Sequence, residues 1–166
     1  MKLKTQILAI TLGLAASTSM LWSAEPPQET TPTIQGETIA TIHGVWTVSA
    51  KGVNCNDPSQ PTGARLRLII TFHGDGTMEA AYNADNSTNE YGVWQREAGS
   101  NNYSFRTVSF QYDENGAFAG RAVVTANVHL TGADTLIYSA TIEFFNANGG
   151  LVFSGCATAT ARRFGF

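Results

Sequence analysis

The chain has 166 residues, a length that suits one domain. Charged residues make up only 14% of it, against about 25% in a typical soluble protein, and the formal net charge is −3. The electrostatic footprint of a nucleic-acid-binding protein is therefore absent, and the 43% of hydrophobic residues exclude disorder over most of the chain. Abundant Thr, Asn and Gly favour an all-β protein, because Thr suits strands and Asn and Gly suit turns.

Residues 1–24 have the pattern of an export signal. Lys2 and Lys4 precede a short apolar stretch from Ile7 to Leu14, and Ala24 stands just before a segment rich in Pro and Glu. The apolar stretch is shorter than the roughly 20 residues that a membrane-spanning helix needs. A buried N-terminal helix is the alternative. The pattern predicts a periplasmic or secreted protein.

Residues 25–40 are predicted to be a solvated linker. This segment contains Pro26, Pro27 and Pro32 among Thr, Gln and Glu, and it offers few apolar groups to offset the entropy lost on ordering. The remaining residues, 41–166, are predicted to form one β-barrel domain.

From His43 onward, apolar and polar residues alternate with period two, which is typical of half-buried strands. Leu68 and Ile70 share one face of such a segment, and Gly74-Asp75-Gly76 after it is a hairpin signal. Eight strands are predicted: His43 to Val53, Ala64 to His73, Thr77 to Asn83, Tyr91 to Glu97, Tyr103 to Asp113, Ala117 to Leu130, Thr135 to Asn146, and Leu151 to Arg163.

Short connections predict that strands adjacent in sequence are antiparallel neighbours. Eight such strands hide both edges of the sheet by closing into an up-and-down barrel, with Leu68, Val124 and Ile142 turned toward its axis. A two-sheet sandwich of the same strands is one alternative. An outer-membrane barrel, with its apolar faces turned to lipid, is another.

Gly44-Val45-Trp46 opens the first predicted strand, and Arg162 and Arg163 close the last. This pattern resembles that of the calycins, the lipocalins, fatty-acid-binding proteins and avidins. The resemblance implies that Trp46 plugs one end of the barrel and that Arg162 or Arg163 stacks on its ring. A second Gly-Val-Trp, at residues 92–94, has no counterpart in those families.

Cys55 and Cys156 are the only cysteines, and in an exported chain they predict a disulfide. Cys156 alternates with polar residues, so the bridge is expected outside the barrel. Placing Trp46 opposite Arg162 and Cys55 opposite Cys156 implies strand registers that differ by three residues, which a bulge can absorb. Two free buried thiols are the alternative. Two distant cysteines do not have the spacing of a metal site.

Small residues on two predicted strands leave space inside the barrel: Gly120, Ala122, Ala126, Gly155, Ala157, Ala159 and Ala161. Either large side chains from the opposite wall fill this space, or a small apolar or amphipathic ligand does. We expect ligand binding, in a cavity lined by Phe72, Tyr82, Trp94, Tyr138 and Phe144. A structural or interaction domain with a filled core is the alternative.

No catalytic motif is present, and neither a metal nor a cofactor is predicted. His43, His73 and His129 are scattered, and the sequence contains no Ser-His-Asp order or phosphate-binding loop. A cofactor-independent isomerase or cyclase, resembling allene oxide cyclases, would need an inward ionisable group. Glu79 has the opposite parity to Tyr82, and Glu143 alternates with polar residues, so neither is convincing. The only partner predicted is a small apolar ligand, and neither its identity nor the oligomeric state is predicted.

Overall fold

The computed structural model describes residues 41–82 and 86–165, so the predicted signal segment (1–24) and linker (25–40) lie outside the described residues. Within these two ranges, no helix is long and apolar enough to cross a membrane. The described chain forms eight strands: β1 Gly44–Asn54, β2 Asp57–Phe72, β3 Thr77–Tyr82, β4 Glu90–Arg96, β5 Asn102–Tyr112, β6 Phe118–Gly132, β7 Thr135–Asn146 and β8 Leu151–Arg163.

The eight strands form a closed antiparallel barrel in up-and-down order, which confirms the predicted fold class and excludes the sandwich. Ring closure depends on β1 and β8, which pair continuously from Trp46 opposite Arg163 to Val53 opposite Cys156. The predicted pairing of Trp46 with Arg162 is wrong by one residue. No bulge is needed between these two strands, because the disulfide joins Cys156 to a residue two positions beyond Val53 rather than to its direct strand partner.

Most strand boundaries differ from the sequence prediction by one or two residues, and the start of β2 differs by seven. The sequence predicts that β2 begins at Ala64, because the prolines before it suggest a loop. In the structure β2 begins at Asp57: Pro61 pairs with Val53 and Asp57 with Asn54, with register shifts between these pairs. Proline is tolerated in a sheet at such bulges and edges. β4 begins at Glu90, one residue earlier than predicted.

The apolar side chains of the core face the barrel axis, whereas other apolar residues of the strands, such as Ile69, Val93 and Ile137, are exposed. Along β2, the exposed fraction falls from 39% at Leu66 to 2% at Ile70 and Phe72, which lie on the same inward face. The inward faces are therefore densely packed at one end, here called the closed end, where the connections 73–76, 97–101 and 133–134 lie. Large buried side chains fill this end: Ile42, Trp46, Phe72, Met78, Tyr103, Val128, Leu130 and Leu136.

Candidate functional site

The closed end is organised around Trp46, which is fully buried. Its indole Nε1 donates a hydrogen bond to the carbonyl of Ile42 at 2.8 Å. The guanidinium carbon of Arg163 lies 4.3 Å from the centre of the indole ring, a cation–π arrangement. Arg162 points the other way and is exposed. Of the two arginines named from the sequence, the structure therefore brings only Arg163 onto Trp46.

Gly44 shows why the Gly-x-Trp pattern begins with glycine. Its φ of +114° lies in the region that side chains rarely adopt, and a Cβ there would be 3.0 Å from Nη1 of Arg163. The guanidinium occupies the space beside this glycine and donates hydrogen bonds to the carbonyls of Thr41, at 2.6 Å, and His43. A larger residue at position 44 would displace Arg163 from Trp46.

Trp94, from the second Gly-Val-Trp, also belongs to the closed end. Its Nε1 donates to the carbonyl of His73 at 2.9 Å, and its ring meets Phe72 edge-on at 6.2 Å between centroids. Tyr103 packs against it at 5.8 Å. Phe72 and Trp94, which the sequence places in a ligand cavity, lie instead among these packed rings, and neither borders the cavity described next.

The open half of the barrel contains a cavity of about 570 Å³. Tyr82, Tyr138 and Phe144, the other three residues predicted to line a cavity, border it. Small residues on β6 to β8 leave this space open: Ala122, Ala140, Gly155 and Ala157. Larger apolar side chains form the rest of the wall: Leu66, Leu68, Ile70, Phe105, Val124, Ile142 and Phe153. The lumen is thus filled at the closed end and hollow toward the other.

Glu90 is the inward ionisable group that the sequence did not reveal. It pairs with Ala80, which is 1% exposed, and its side chain borders the cavity. The Thr107 hydroxyl donates a hydrogen bond of 2.6 Å to its carboxylate. Burial raises the pKa of the Glu90 carboxyl above its ordinary value, and the bond from Thr107 offsets only part of this effect. Glu143 faces outward, as the sequence indicates. Glu79 also faces outward, on the opposite face from Tyr82, and it lies 3.7 Å from His73.

Two tyrosines supply hydroxyl groups to the same cavity. Tyr138 is 9% exposed and meets Phe105 edge-on, at 5.6 Å between ring centroids. Burial, and to a smaller extent the charge of Glu90, raise the pKa of Tyr138, so it remains a neutral hydrogen-bond donor at physiological pH. The Tyr82 hydroxyl lies 3.4 Å from Oγ of Ser109 and accepts a hydrogen bond of 3.3 Å from Ser87.

The charges around the cavity are unevenly placed. Among the described residues, Thr107 is the one hydrogen-bond donor to Glu90, and no ion pair involves this carboxylate. The cations that border the cavity are Lys51 and Arg65, both exposed strand partners on the outward faces of β1 and β2. Among the described residues, the cavity wall therefore presents one partly buried acid, Glu90, amid apolar side chains, while Lys51 and Arg65 lie on the outward faces of their strands.

Phe153 lies at the edge of the cavity. It is 57% exposed, its ring contacts Phe144 at 5.7 Å between centroids, and it covers Gly155. A Cβ on Gly155 would come within 2.9 Å of this ring. The missing side chain at Gly155 thus leaves room for Phe153 to fold over the cavity edge.

The disulfide between Cys55 and Cys156 is present, which confirms that prediction. The Cα atoms of the two residues are 5.1 Å apart, and the bridge links the end of β1 to β8 beside the cavity. A disulfide is consistent with an oxidising compartment.

Each of the three histidines contacts a different partner. His43 packs edge-on against Trp94, His73 lies near Glu79, and Nδ1 of His129 is 2.8 Å from Oδ1 of Asn102. Within residues 41–82 and 86–165, no cluster of three or more His, Cys, Asp or Glu side chains is arranged to hold a metal ion.

No protein-family model matches the chain, and comparison with curated proteins gives no match either.

Proposed function

We propose that this chain is an exported, calycin-like β-barrel that binds a small apolar or amphipathic molecule in the open half of its lumen. The observation that carries the proposal is the cavity of about 570 Å³, a size within the range of roughly 300–1,000 Å³ typical of small-molecule sites. Its wall is largely apolar and carries a few polar groups, Tyr82, Glu90 and Tyr138, which is the usual composition of such sites.

The cavity favours ligand binding over a structural domain with a filled core. Native interiors are close-packed, and the closed end of this barrel meets that standard with large aromatic side chains. Ala140, Ala157 and Gly155 leave the open half unfilled. An unfilled apolar cavity loses dispersion contacts along its lining, so a bound apolar molecule would stabilise the barrel.

Two further observations support the family and location in this proposal. The stacking of Arg163 on Trp46 has the form expected for the calycin-like pairing between the first and last strands. The disulfide suits export, because disulfides persist in oxidising compartments.

Binding can be tested with two neighbouring residues of β8 whose side chains point to opposite faces. Ala157 borders the cavity, whereas Thr158 is on the outward face. Uptake of the neutral dye Nile red should be lost in Ala157→Phe, which fills the cavity, and retained in the matched control Thr158→Phe. A native mass spectrum of the wild-type protein should also show a retained small molecule. Equal dye uptake by the two variants, or an unoccupied protein that takes up no dye, would contradict the proposal.

A second candidate function, cofactor-independent isomerisation or cyclisation, is favoured by Glu90. A partly buried carboxyl with a raised pKa, near the neutral Tyr138, is suited to proton transfer within an apolar cavity. This candidate predicts that molecules retained by the wild-type and Glu90→Gln proteins have equal mass but different structure. Liquid chromatography of the extracted molecules would separate the isomers, and identical extracts would exclude this activity.

A further inference from the structure

We infer that the molecule held in the barrel carries a positively charged amine, and that this ammonium group pairs with the carboxylate of Glu90. The inference rests on the proposed ligand binding and adds the chemical class of the ligand. It combines three features of the described residues around the cavity: a partly buried carboxylate with no cationic partner among them, aromatic rings on the surrounding walls, and cations that lie on the outward faces of their strands.

The first feature is the incomplete pairing of Glu90. An ionised carboxylate removed from water is costly unless a cation or several hydrogen bonds stabilise it. Here, the described residues supply one donor, the hydroxyl of Thr107. An arginine or lysine facing Glu90 inside the barrel would complete the site, but Lys51 and Arg65 are exposed on the outer faces of their strands. A ligand ammonium would provide the missing charge.

The second feature is the aromatic character of the walls. Tyr82, Phe105, Tyr138 and Phe144 border the same cavity as Glu90. Aromatic rings attract cations through the negative potential of their faces, and this attraction is larger where water is excluded. A carboxylate combined with aromatic rings is complementary to an ammonium group that is attached to an apolar body.

The third feature is the effect of each ligand charge on Glu90. The negative charge of Glu90 contributes to the raised pKa of Tyr138. A ligand carboxylate placed in this part of the cavity would therefore be repelled by Glu90. An ammonium group would instead favour the ionised form and reverse the effect of burial on the Glu90 carboxyl. A fatty acid could avoid this repulsion only by placing its head outside the lumen, near Lys51 and Arg65.

Three probes of equal length, decylamine, decanol and decanoic acid, separate these possibilities by displacement of Nile red at pH 7.5. An alkylamine is charged at this pH, as the Lys side chain with its pKa of about 10.4 is. We expect decylamine to bind at least about tenfold more tightly than decanol, and decanoic acid to bind most weakly. Decanol or decanoic acid binding as tightly as decylamine would overturn the inference while leaving the proposed function intact.

Two glutamate variants assign the preference to the cavity. Glu90→Gln should weaken decylamine binding about tenfold and leave decanol binding unchanged, because the amide keeps the shape and loses the charge. Glu79→Gln, an outward carboxylate on the adjacent strand, is the matched control and should change neither. An unchanged preference in Glu90→Gln would overturn the inference. If neither the dye nor any probe binds the wild-type protein, the proposed function itself fails; the wild-type comparison decides the inference even if a variant does not fold.

Discussion

The guanidinium of Arg163 lies 4.3 Å from the ring centre of Trp46 and also donates hydrogen bonds to three backbone carbonyls, those of Thr41, His43 and Ala133. One side chain at the end of β8 thus holds the segment before β1, the ring at the start of β1 and the connection between β6 and β7. The closed end depends on this residue, because the carbonyls and the ring that it contacts belong to three different parts of the chain.

Arg163→Ala should therefore lower the free energy of unfolding by about 3 kcal/mol. Hydrogen bonds from a charged group contribute roughly 1.5–3 kcal/mol, and a cation–π contact about 0.5–2 kcal/mol, so they set this scale without adding fully. Arg162→Ala is the matched control and should change stability by less than about 0.5 kcal/mol, since this side chain is exposed. Urea denaturation measures both, and equal losses would contradict the role assigned to Arg163.

The sequence was sufficient to predict the strands and the closed barrel. Period-two alternation and turn residues are local signals, and short connections then limit the pairing to neighbours. The Trp46 register was wrong by one residue, because either of two adjacent arginines satisfies the pattern and a slip of one residue exchanges the two faces of a strand. The early start of β2 was missed because Pro58 and Pro61 interrupt the alternation.

The candidate site was less predictable. Glu90 stands at the first position of β4, after Asn89, where a polar residue suggests a turn rather than a strand. Only its pairing with Ala80 shows that its side chain points inward. Phe72 and Trp94 share the inward alternation of true cavity residues, but their depth depends on the stagger between strands, which alternation does not reveal. The alternation along a strand therefore predicts which face a side chain is on, but it does not predict how far along the barrel axis that side chain lies.

Removal of the disulfide by Cys55→Ser combined with Cys156→Ser should destabilise the barrel by about 2–4 kcal/mol. The bridge closes a loop across 101 positions, for which the chain-entropy model gives about 4.7 kcal/mol, an amount that measured proteins often do not reach. Reduced wild-type protein should match the double variant in thermal unfolding, and reductant should leave the double variant unaffected. A double variant as stable as the oxidised wild type would show that β1 and β8 need no covalent link.

Gly92→Ala should destabilise the protein by at least about 2 kcal/mol and disturb the hydrogen bond to Glu90. A Cβ at Gly92 would lie 2.1 Å from the carbonyl oxygen of Arg106 and 2.8 Å from Cα of Thr107, so backbone must shift at the residue that donates to the carboxylate. Gly74→Ala is the control, because the nearest atom to its Cβ would be 3.9 Å away. Comparable melting temperatures for the two variants would contradict this close approach.

The charge state of Glu90 predicts a pH dependence of stability. Its pKa in the folded barrel is raised above the ordinary value of 4.5, because burial disfavours the charged form. Below pH 4.5, the carboxyl is protonated in both the folded and the unfolded chain, and no cost arises. As the pH rises above 4.5, the unfolded chain releases the proton first, and the folded protein becomes less stable. This loss of stability continues until the pH reaches the folded pKa of Glu90 and is constant above it.

The difference between the Glu90→Gln and wild-type proteins isolates this contribution. Asp57 and Asp75 have lowered pKa values and lose stabilising interactions as the pH falls through their folded pKa values, but they are present in both proteins and cancel. Urea denaturation should give nearly equal stability at pH 4, where both side chains are largely neutral, and Glu90→Gln should be the more stable protein at pH 8. Because the amide oxygen can still accept the bond from Thr107, the gain reflects removal of the charge alone. A difference that is constant with pH, or that favours the wild type as the pH rises, would mean that the carboxylate already has a cationic partner in the folded protein.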